Sequence, residues 1–327
     1  MRQLRKVFLL VALAAALVLM VAPVAHAQGE FKLADRIAAK VAAGEPLVFR
    51  VSYHDVSNEF APQIKAGVER AAAELGAAVD VQFVGPVGPK AEDQVAELES
   101  LIAAGVDGLA VSSVSTDALA PILNSALEQG IPVVTFNTDN PSSNRLAFAG
   151  QDLVESGRIA ARELVKYLGE TGDVIITTLD AAAQWSIDRE TGARDVFDDY
   201  PGINVLATVN TGTEPQEIYS AIENAMLANP SVTGILSLEC CSITPAGEYV
   251  QRSGLTGSVK VVGFDLNPST LQLVKDGVIQ ATIGQGPERQ GYEAVMLMWK
   301  AANGEMVSNV DTGAEIVDAS NIANYLP

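Results

Sequence analysis

The sequence of 327 residues is poor in cysteine, histidine and basic side chains. It has 21 Lys and Arg against 40 Asp and Glu, a net charge of −19, and such a surface repels phosphate backbones and anionic lipid. We therefore expect neither nucleic-acid binding nor binding to a membrane surface. The only cysteines are Cys240 and Cys241. Because no second pair and no suitable histidine accompany them, we expect no metal site, and we expect no cofactor.

Recognisable catalytic signatures are also missing. The sequence has no G-x-S-x-G elbow, no H-E-x-x-H, no P-loop and no G-x-G-x-x-G opening a helix after the first predicted strand. Paired carboxylates for glycoside hydrolysis stay open, because any two acidic residues can meet in a fold. The sequence therefore predicts a protein that is not an enzyme, with an unrecognised hydrolase as the alternative.

The two adjacent cysteines allow two interpretations. A disulfide between Cys240 and Cys241 would have to fit Cα atoms about 3.8 Å apart across a trans peptide, below the usual range, so it would be strained. The alternative is a pair of free thiols in a loop at the end of a strand. Both interpretations stay open.

The N-terminal residues 1–27 have the three parts of a secretory signal peptide. A basic start precedes an apolar run from residue 7 to residue 22, and an A-x-A cleavage site ends at Ala27. We expect export to the periplasm with cleavage near Ala27, which leaves 18 Lys and Arg against 40 Asp and Glu, a net charge of −22. A membrane-spanning anchor is the alternative, because the run approaches spanning length.

From residue 47 onward, short apolar segments alternate with longer amphipathic ones. Strands that are nearly all apolar, with helices between them, predict parallel sheets covered on both faces. The predicted strands are 47–53, 79–84, 106–111, 132–136, 173–178, 204–209, 232–238, 259–264, 278–283 and 315–317. The predicted helices are 59–75, 91–104, 118–129, 152–168, 186–199, 215–227, 245–251, 269–275 and 287–303.

The alternation repeats itself after a polar loop at 137–144. The segment 105–137 can be laid over 231–265, a weak internal duplication that predicts two similar α/β domains. The remaining chain is long enough to return to the first domain and then to the second, so three crossings would form a hinge. The predicted division is a leader helix at 28–46, a first domain at 47–150 plus 286–312, and a second domain at 151–285 plus 313–327.

Two polar side chains stand at the ends of predicted strands: Asp265 directly follows 259–264, and Gln285 lies two residues after the end of 278–283. Ligands of open α/β sheets bind beyond the carboxyl ends of the strands, so we expect both residues to contact a ligand. As alternatives, Asp265 could begin the next helix as a turn carboxylate, and Gln285 could satisfy backbone groups at the hinge.

Three motifs carry a resemblance to a known family. They are Ser57-Asn58-Glu59-Phe60 after the first strand, VVGFD ending at Asp265, and ATIGQ ending at Gln285. In this order, behind a signal peptide, the chain resembles the periplasmic sugar-binding proteins of ABC importers, the ribose- and galactose-binding class with type I topology. The resemblance implies a monomer that captures a small sugar or polyol in an interdomain cleft and delivers it to a membrane permease. The alternative is a secreted sensor module that presents a sugar-like signal molecule to a chemotaxis or sensor receptor.

The resemblance also implies a set of ligand contacts, in which polar groups satisfy sugar hydroxyls and an aromatic face covers the C–H side of the ring. The implied residues are Asn58, Phe60, Asn137, Thr138, Arg189, Cys240, Asp265 and Gln285. Trp185, one helical turn before Arg189, could add a second aromatic face, and His54 and Asp55, in the loop after the first strand inside the presumed cleft, could contact the ligand. As alternatives, Arg189 could form a surface ion pair and Phe60 could fill the core.

The chain departs from ribose-binding members at three places. It has Asn137-Thr138 where those proteins have Asp-Arg, Ala61 where they have a second Phe, and Cys240 where they have an Asn. These departures leave the identity of the sugar open.

Overall fold

The computed structural model describes residues 31–326. The predicted signal peptide and the first residues of the predicted leader lie outside the described residues. The leader continues as helix α1 (Asp35–Ala43), in which Arg36 and Lys40 both pair with the buried carboxylate of Asp107. Within the described residues, no helix combines the length and the apolar character needed to cross a membrane.

Strands and helices alternate along most of the described chain, as the hydrophobic pattern predicts. The strands are β1 (Leu47–Ser52), β2 (Val79–Val84), β3 (Gly108–Val111), β4 (Val133–Phe136), β5 (Phe148–Gly150), β6 (Gly172–Thr178), β7 (Ile203–Asn210), β8 (Val232–Ser237), β9 (Lys260–Phe264), β10 (Ala281–Gly284), β11 (Val310–Asp311) and β12 (Glu315–Asp318). The further helices are α2 (Ala61–Leu75), α3 (Ala91–Ala103), α4 (Thr116–Glu128), α5 (Leu153–Leu168), α6 (Gln184–Asp198), α7 (Pro215–Ala228), α8 (Cys240–Arg252), α9 (Pro268–Lys275) and α10 (Pro287–Ala302).

The strands form two six-stranded sheets with the same topology. The first has the order β11-β5-β4-β3-β1-β2, and the second has the order β12-β10-β9-β8-β6-β7. Every pairing is parallel except that of β10 with β12. The chain passes between the sheets after β5, after β10 and after β11. This confirms the predicted fold class of two similar domains with mainly parallel sheets and three connecting segments. We call the first sheet, with the helices packed on it, the first domain. The second sheet with its helices is the second domain.

Helices cover both faces of each sheet, because the strands are apolar on both faces. In β6, Ile175 belongs to one buried cluster, while Val174 and Ile176 belong to the cluster on the opposite face. Every residue of β3, β4 and β10 is buried. The sheets are therefore rigid supports for the side chains that follow their strands.

Helices α5 and α6 approach each other unusually closely. A Cβ on Gly157 would lie 2.1 Å from the carbonyl oxygen of Arg189, and one on Gly192 would lie 1.8 Å from that of Val154. Two glycines thus bring the backbones together where α6 carries Arg189. This contact fixes the position of a predicted ligand residue.

Several element boundaries differ from the predictions. The two short strands β5 and β11 were not expected, and β10 begins at Ala281 because Val278 and Ile279 form the buried turn after α9. Helix α8 begins at Cys240 instead of residue 245. The side chain of Glu239 accepts a hydrogen bond from the backbone N–H of Cys241 at 2.7 Å and so caps this earlier start.

Candidate functional site

A cavity lies where the carboxyl ends of the strands of both domains face each other. It contains about 400 Å³ of empty space, part of which opens to solvent. Its lining residues are Tyr53, His54, Asn58, Phe60, Asn137, Thr138, Leu153, Leu179, Trp185, Arg189, Glu239, Cys240, Asp265 and Gln285. The structure thus brings together all of the predicted site residues except Asp55.

Asn137 and Asp265 occupy equivalent places, directly after β4 and β9. Both have a left-handed backbone, with φ of 57° for Asn137 and 78° for Asp265, a conformation that is uncommon for residues other than glycine. Asn and Asp tolerate this conformation better than most residues. The internal duplication therefore extends to the local conformation that turns both side chains toward the cavity.

A chain of amide hydrogen bonds connects these two strand ends. Gln285 Nε2 donates to Asp265 Oδ1 at 2.7 Å. Gln290 Nε2 donates to the backbone oxygen of Gln285 at 2.8 Å, and Asn137 Nδ2 donates to Gln290 Oε1 at 3.0 Å. All four residues are buried. The network links the two domains on one side of the cavity.

The guanidinium of Arg189 is buried at the centre of the site. It donates to the backbone oxygen of Leu238 at 2.7 Å and to Gln151 Oε1 at 3.2 Å, and it lies 3.8 Å from the ring centroid of Phe264. Its Nε has no hydrogen-bond partner among the described residues. A buried donor without a partner is costly, so this N–H is available for an acceptor on a bound ligand.

Two buried carboxyl groups lie on the second-domain side of the cavity. Burial raises the pKa of Asp265 to about 6, while the positive charge of Arg189 and the hydrogen bond from Gln285 oppose that rise. Burial also raises the pKa of Glu239 to about 7, against hydrogen bonds from the Ser242 side chain and a backbone N–H. Near neutral pH these groups can accept hydrogen bonds when ionised and donate when protonated.

Aromatic rings also line the cavity. The ring of His54 stacks on Trp185, with centroids 4.4 Å apart, and lies 4.2 Å from the ring of Tyr53. His54 Nδ1 is 2.7 Å from Ser112 Oγ. Burial lowers the pKa of His54 to about 3, so the imidazole is neutral, and these rings can cover an apolar sugar face. Trp185 lies within α6, although the sequence placed it before the helix.

Other predicted residues have identifiable structural tasks. Asn58 Oδ1 accepts the backbone N–H groups of Phe60 and Ala61 and so caps α2. Thr138 Oγ1 donates to Asn137 Oδ1 at 3.3 Å. Asp55 is absent from the cavity lining, because its carboxylate accepts hydrogen bonds from Ser57 and from the backbone N–H of Gly88.

Sequence reasoning missed four lining residues: Tyr53, Leu153, Leu179 and Glu239. Tyr53 and Glu239 were detectable, because each directly follows or ends a predicted strand, as Asp265 does. Gln290 and Gln151, which support the lining residues through hydrogen bonds, gave no such signal.

The model of the periplasmic binding protein domain family matches residues 49–306. The chain belongs to this family. The periplasmic binding proteins are extracytoplasmic, and the family is one of binding proteins, so the predicted resemblance and the expected lack of enzymatic activity are confirmed.

Individual periplasmic binding proteins are similar over most of their length. The xylose/arabinose-binding protein XylF of Sulfolobus acidocaldarius is 28% identical over 294 residues, 84% of this chain and 71% of that protein. The D-allose-binding periplasmic protein of Escherichia coli is 26% identical over 275 residues, 82% of this chain and 88% of that protein. The solved structure of an ABC transporter solute binding protein from Burkholderia graminis, in complex with D-arabinose, has a TM-score of 0.81 and 27% identity. The match covers 87% of this chain and 99% of that one.

Proposed function

We propose that the protein captures a small sugar or polyol in the cleft between its domains and delivers it to the permease of an ABC transporter. The observation that carries this proposal is the composition of the cavity. Acceptors, donors and a free Arg189 N–H line the same cavity as aromatic rings, which matches the polar hydroxyls and the apolar face of a sugar ring. The proposed contacts are the lining residues predicted from the sequence, with Tyr53 and Glu239 added.

A pentose is the ligand class that we favour. Similar proteins include one named for xylose and arabinose and a structure that holds D-arabinose.

We further propose that the domains comprise residues 47–150 with 286–312, and 151–285 with 313–327. The three connecting segments then act as a hinge that opens for sugar entry and closes around it. The packing of α10 on α2 and on the first sheet, and of α5 on α6 and on the second sheet, supports this division. Export by the predicted signal peptide would put the mature chain, which we expect to be a monomer, in the periplasm.

Isothermal titration of the mature protein against pentoses, hexoses, polyols and deoxy sugars tests the binding proposal. We expect one site per chain and the tightest binding for a pentose. If no compound of the panel bound, the result would contradict sugar binding.

A pull-down with sugar-loaded protein and solubilised membranes of the source cell tests delivery. Capture of transporter subunits is the expected result. Capture of a sensor ectodomain without transporter subunits would contradict the proposed role in import.

A further inference from the structure

Three side chains at the edge of the cleft form a cluster of metal-ligand types, of which only Cys240 also lines the sugar cavity. The carboxylate of Glu59 and the sulfur atoms of Cys240 and Cys241 all lie within 4.8 Å of one another. Among residues 31–326, no other group of three or more His, Cys, Asp and Glu side chains has its potential metal-ligand atoms this close together. Both cysteines are free thiols at the start of α8.

The cluster spans the two domains. Glu59 belongs to the loop between β1 and α2 in the first domain, whereas both cysteines belong to the second. The second domain also holds the Glu59 carboxylate directly, because Asn267 Nδ2 donates to Glu59 Oε1 at 2.8 Å. Gln63 Nε2 donates to Asn267 Oδ1 at 3.0 Å and adds a second link across the cleft. The two domains therefore meet at this cluster.

The donor set is suited to a thiophilic metal ion. Thiolates bind Zn²⁺ and Cu⁺ strongly, and a carboxylate is a common third ligand of zinc. Two sulfur ligands of a tetrahedral zinc lie about 3.8 Å apart, given a Zn–S distance of about 2.3 Å, so the observed separations need only small shifts. Three protein ligands leave a fourth position for water.

The local charge also favours a cation. The buried carboxyl groups of Glu239 and Asp265 lie in the same cavity as Cys240. Their negative charge stabilises a bound cation, which displaces the thiol protons. Glu59 is solvent-exposed and gives the ion a path into the cluster.

We propose that Glu59, Cys240 and Cys241 bind one thiophilic metal ion, which links the two domains across the cleft. The ion itself would link the domains, so the proposal does not require a sugar in the cavity. It departs from the expectation of no metal site, because Glu59 supplies the ligand that the cysteine pair lacks in the sequence.

Titration of Zn²⁺ into the sugar-free mature protein tests the proposal, with the thiols kept reduced by a phosphine. We expect one Zn²⁺ per chain. Cys241→Ser and Glu59→Gln should each weaken binding by more than the ~10- to 100-fold that loss of a supporting residue costs. Glu69→Gln, at an exposed position of α2, is the matched control and should leave the affinity unchanged.

Two results would overturn the proposal. One is a reduced wild-type protein that binds no Zn²⁺, and the other is equal affinity in Glu59→Gln and Glu69→Gln, since the ion would then not reach the first domain. If Cys241→Ser does not fold, the Zn²⁺ affinity of the exposed Glu59→Gln variant tests the proposal instead. Sugar is absent from the titration, so failure here is distinguishable from failure of sugar binding.

Discussion

Gln285 and Asp265 form a hydrogen bond of 2.7 Å that joins a segment crossing between the domains to the end of β9. The bond orients one carboxylate oxygen of Asp265. This carboxylate is buried and interacts with the positive charge of Arg189. A sugar hydroxyl that enters the cavity therefore meets an oriented acceptor next to a fixed cation.

Asp265→Asn should weaken sugar binding by about 10- to 100-fold, because a hydrogen bond to a charged group contributes about 1.5–3 kcal/mol. Asparagine tolerates the left-handed backbone of this position, and its amide oxygen can still accept from Gln285, so the fold should persist. Isothermal titration gives the affinity. Asp276→Asn, at the end of α9, is the control, and equal affinities in the two variants would remove Asp265 from the site.

Arg189→Lys should weaken sugar binding at least about tenfold. Lysine cannot supply the planar set of donors that reaches Leu238, Gln151 and the ligand together, and its flexible ammonium does not stack on Phe264 in the same way. Arg194→Lys lies on the same helix, where it pairs with Glu190 at the surface, and should bind sugar like the parent. Titration of both variants with the same sugar checks this. If Arg189→Lys binds as the parent does, the guanidinium is structural only.

Gly157→Ala should lower the free energy of unfolding by about 1–3 kcal/mol. The new Cβ would overlap the carbonyl oxygen of Arg189 at 2.1 Å, so α5 and α6 must separate, and this cost exceeds the ~1 kcal/mol that alanine gains in a helix. Denaturant unfolding measures the effect, with Thr191→Ala on the exposed side of α6 as control. A Gly157→Ala protein as stable as the parent would show that the helix contact is adaptable.

His54 should make the protein less stable in acid. Its pKa is about 3 in the folded protein, against about 6.5 in the unfolded chain, so between these values only the unfolded chain binds the proton. The contribution of His54 to the free energy of unfolding is fully present above pH 6.5 and falls as the pH decreases toward 3. The difference in unfolding free energy between parent and His54→Gln should shrink by ~3 kcal/mol from pH 6.5 to pH 4.

Urea unfolding of both proteins across this pH range measures that difference. Asp265 and Glu239 have raised pKa values and act in the opposite direction, but they are present in both proteins and cancel. A difference that does not change with pH would show that His54 becomes protonated normally in the folded state.

The fold could be predicted well from the sequence, because its strands and helices follow from the local periodicity of apolar residues. The apolar strands and the helices between them lie within a few residues of their predicted places, and the weak duplication corresponds to two sheets of equal topology. Strands β5 and β11 were missed, since segments of three and two residues give no periodic signal. The start of α8 was missed because Pro245 resembled a helix start, whereas Glu239 caps a helix that begins at Cys240, five residues before Pro245.

Strand positions in the sequence pointed to site residues only where a polar side chain comes at the end of a strand. Asn137, Asp265 and Gln285 each follow a strand, and all three line the cavity. Gln290 was not predictable, because its partner Asn137 lies 153 residues away and only the tertiary fold brings them together. Asp55 shares the loop of His54, but its carboxylate is held by backbone N–H groups of that loop and of Gly88.

A crystal structure of the mature protein grown with the tightest-binding sugar of the panel tests the central claim most directly. We predict one sugar between the two domains, with Asp265 and the free N–H of Arg189 within hydrogen-bond distance of its oxygens and the ring of Trp185 or Phe60 against its C–H face. A sugar bound elsewhere on the molecule, or a cleft that contains none, would contradict the account.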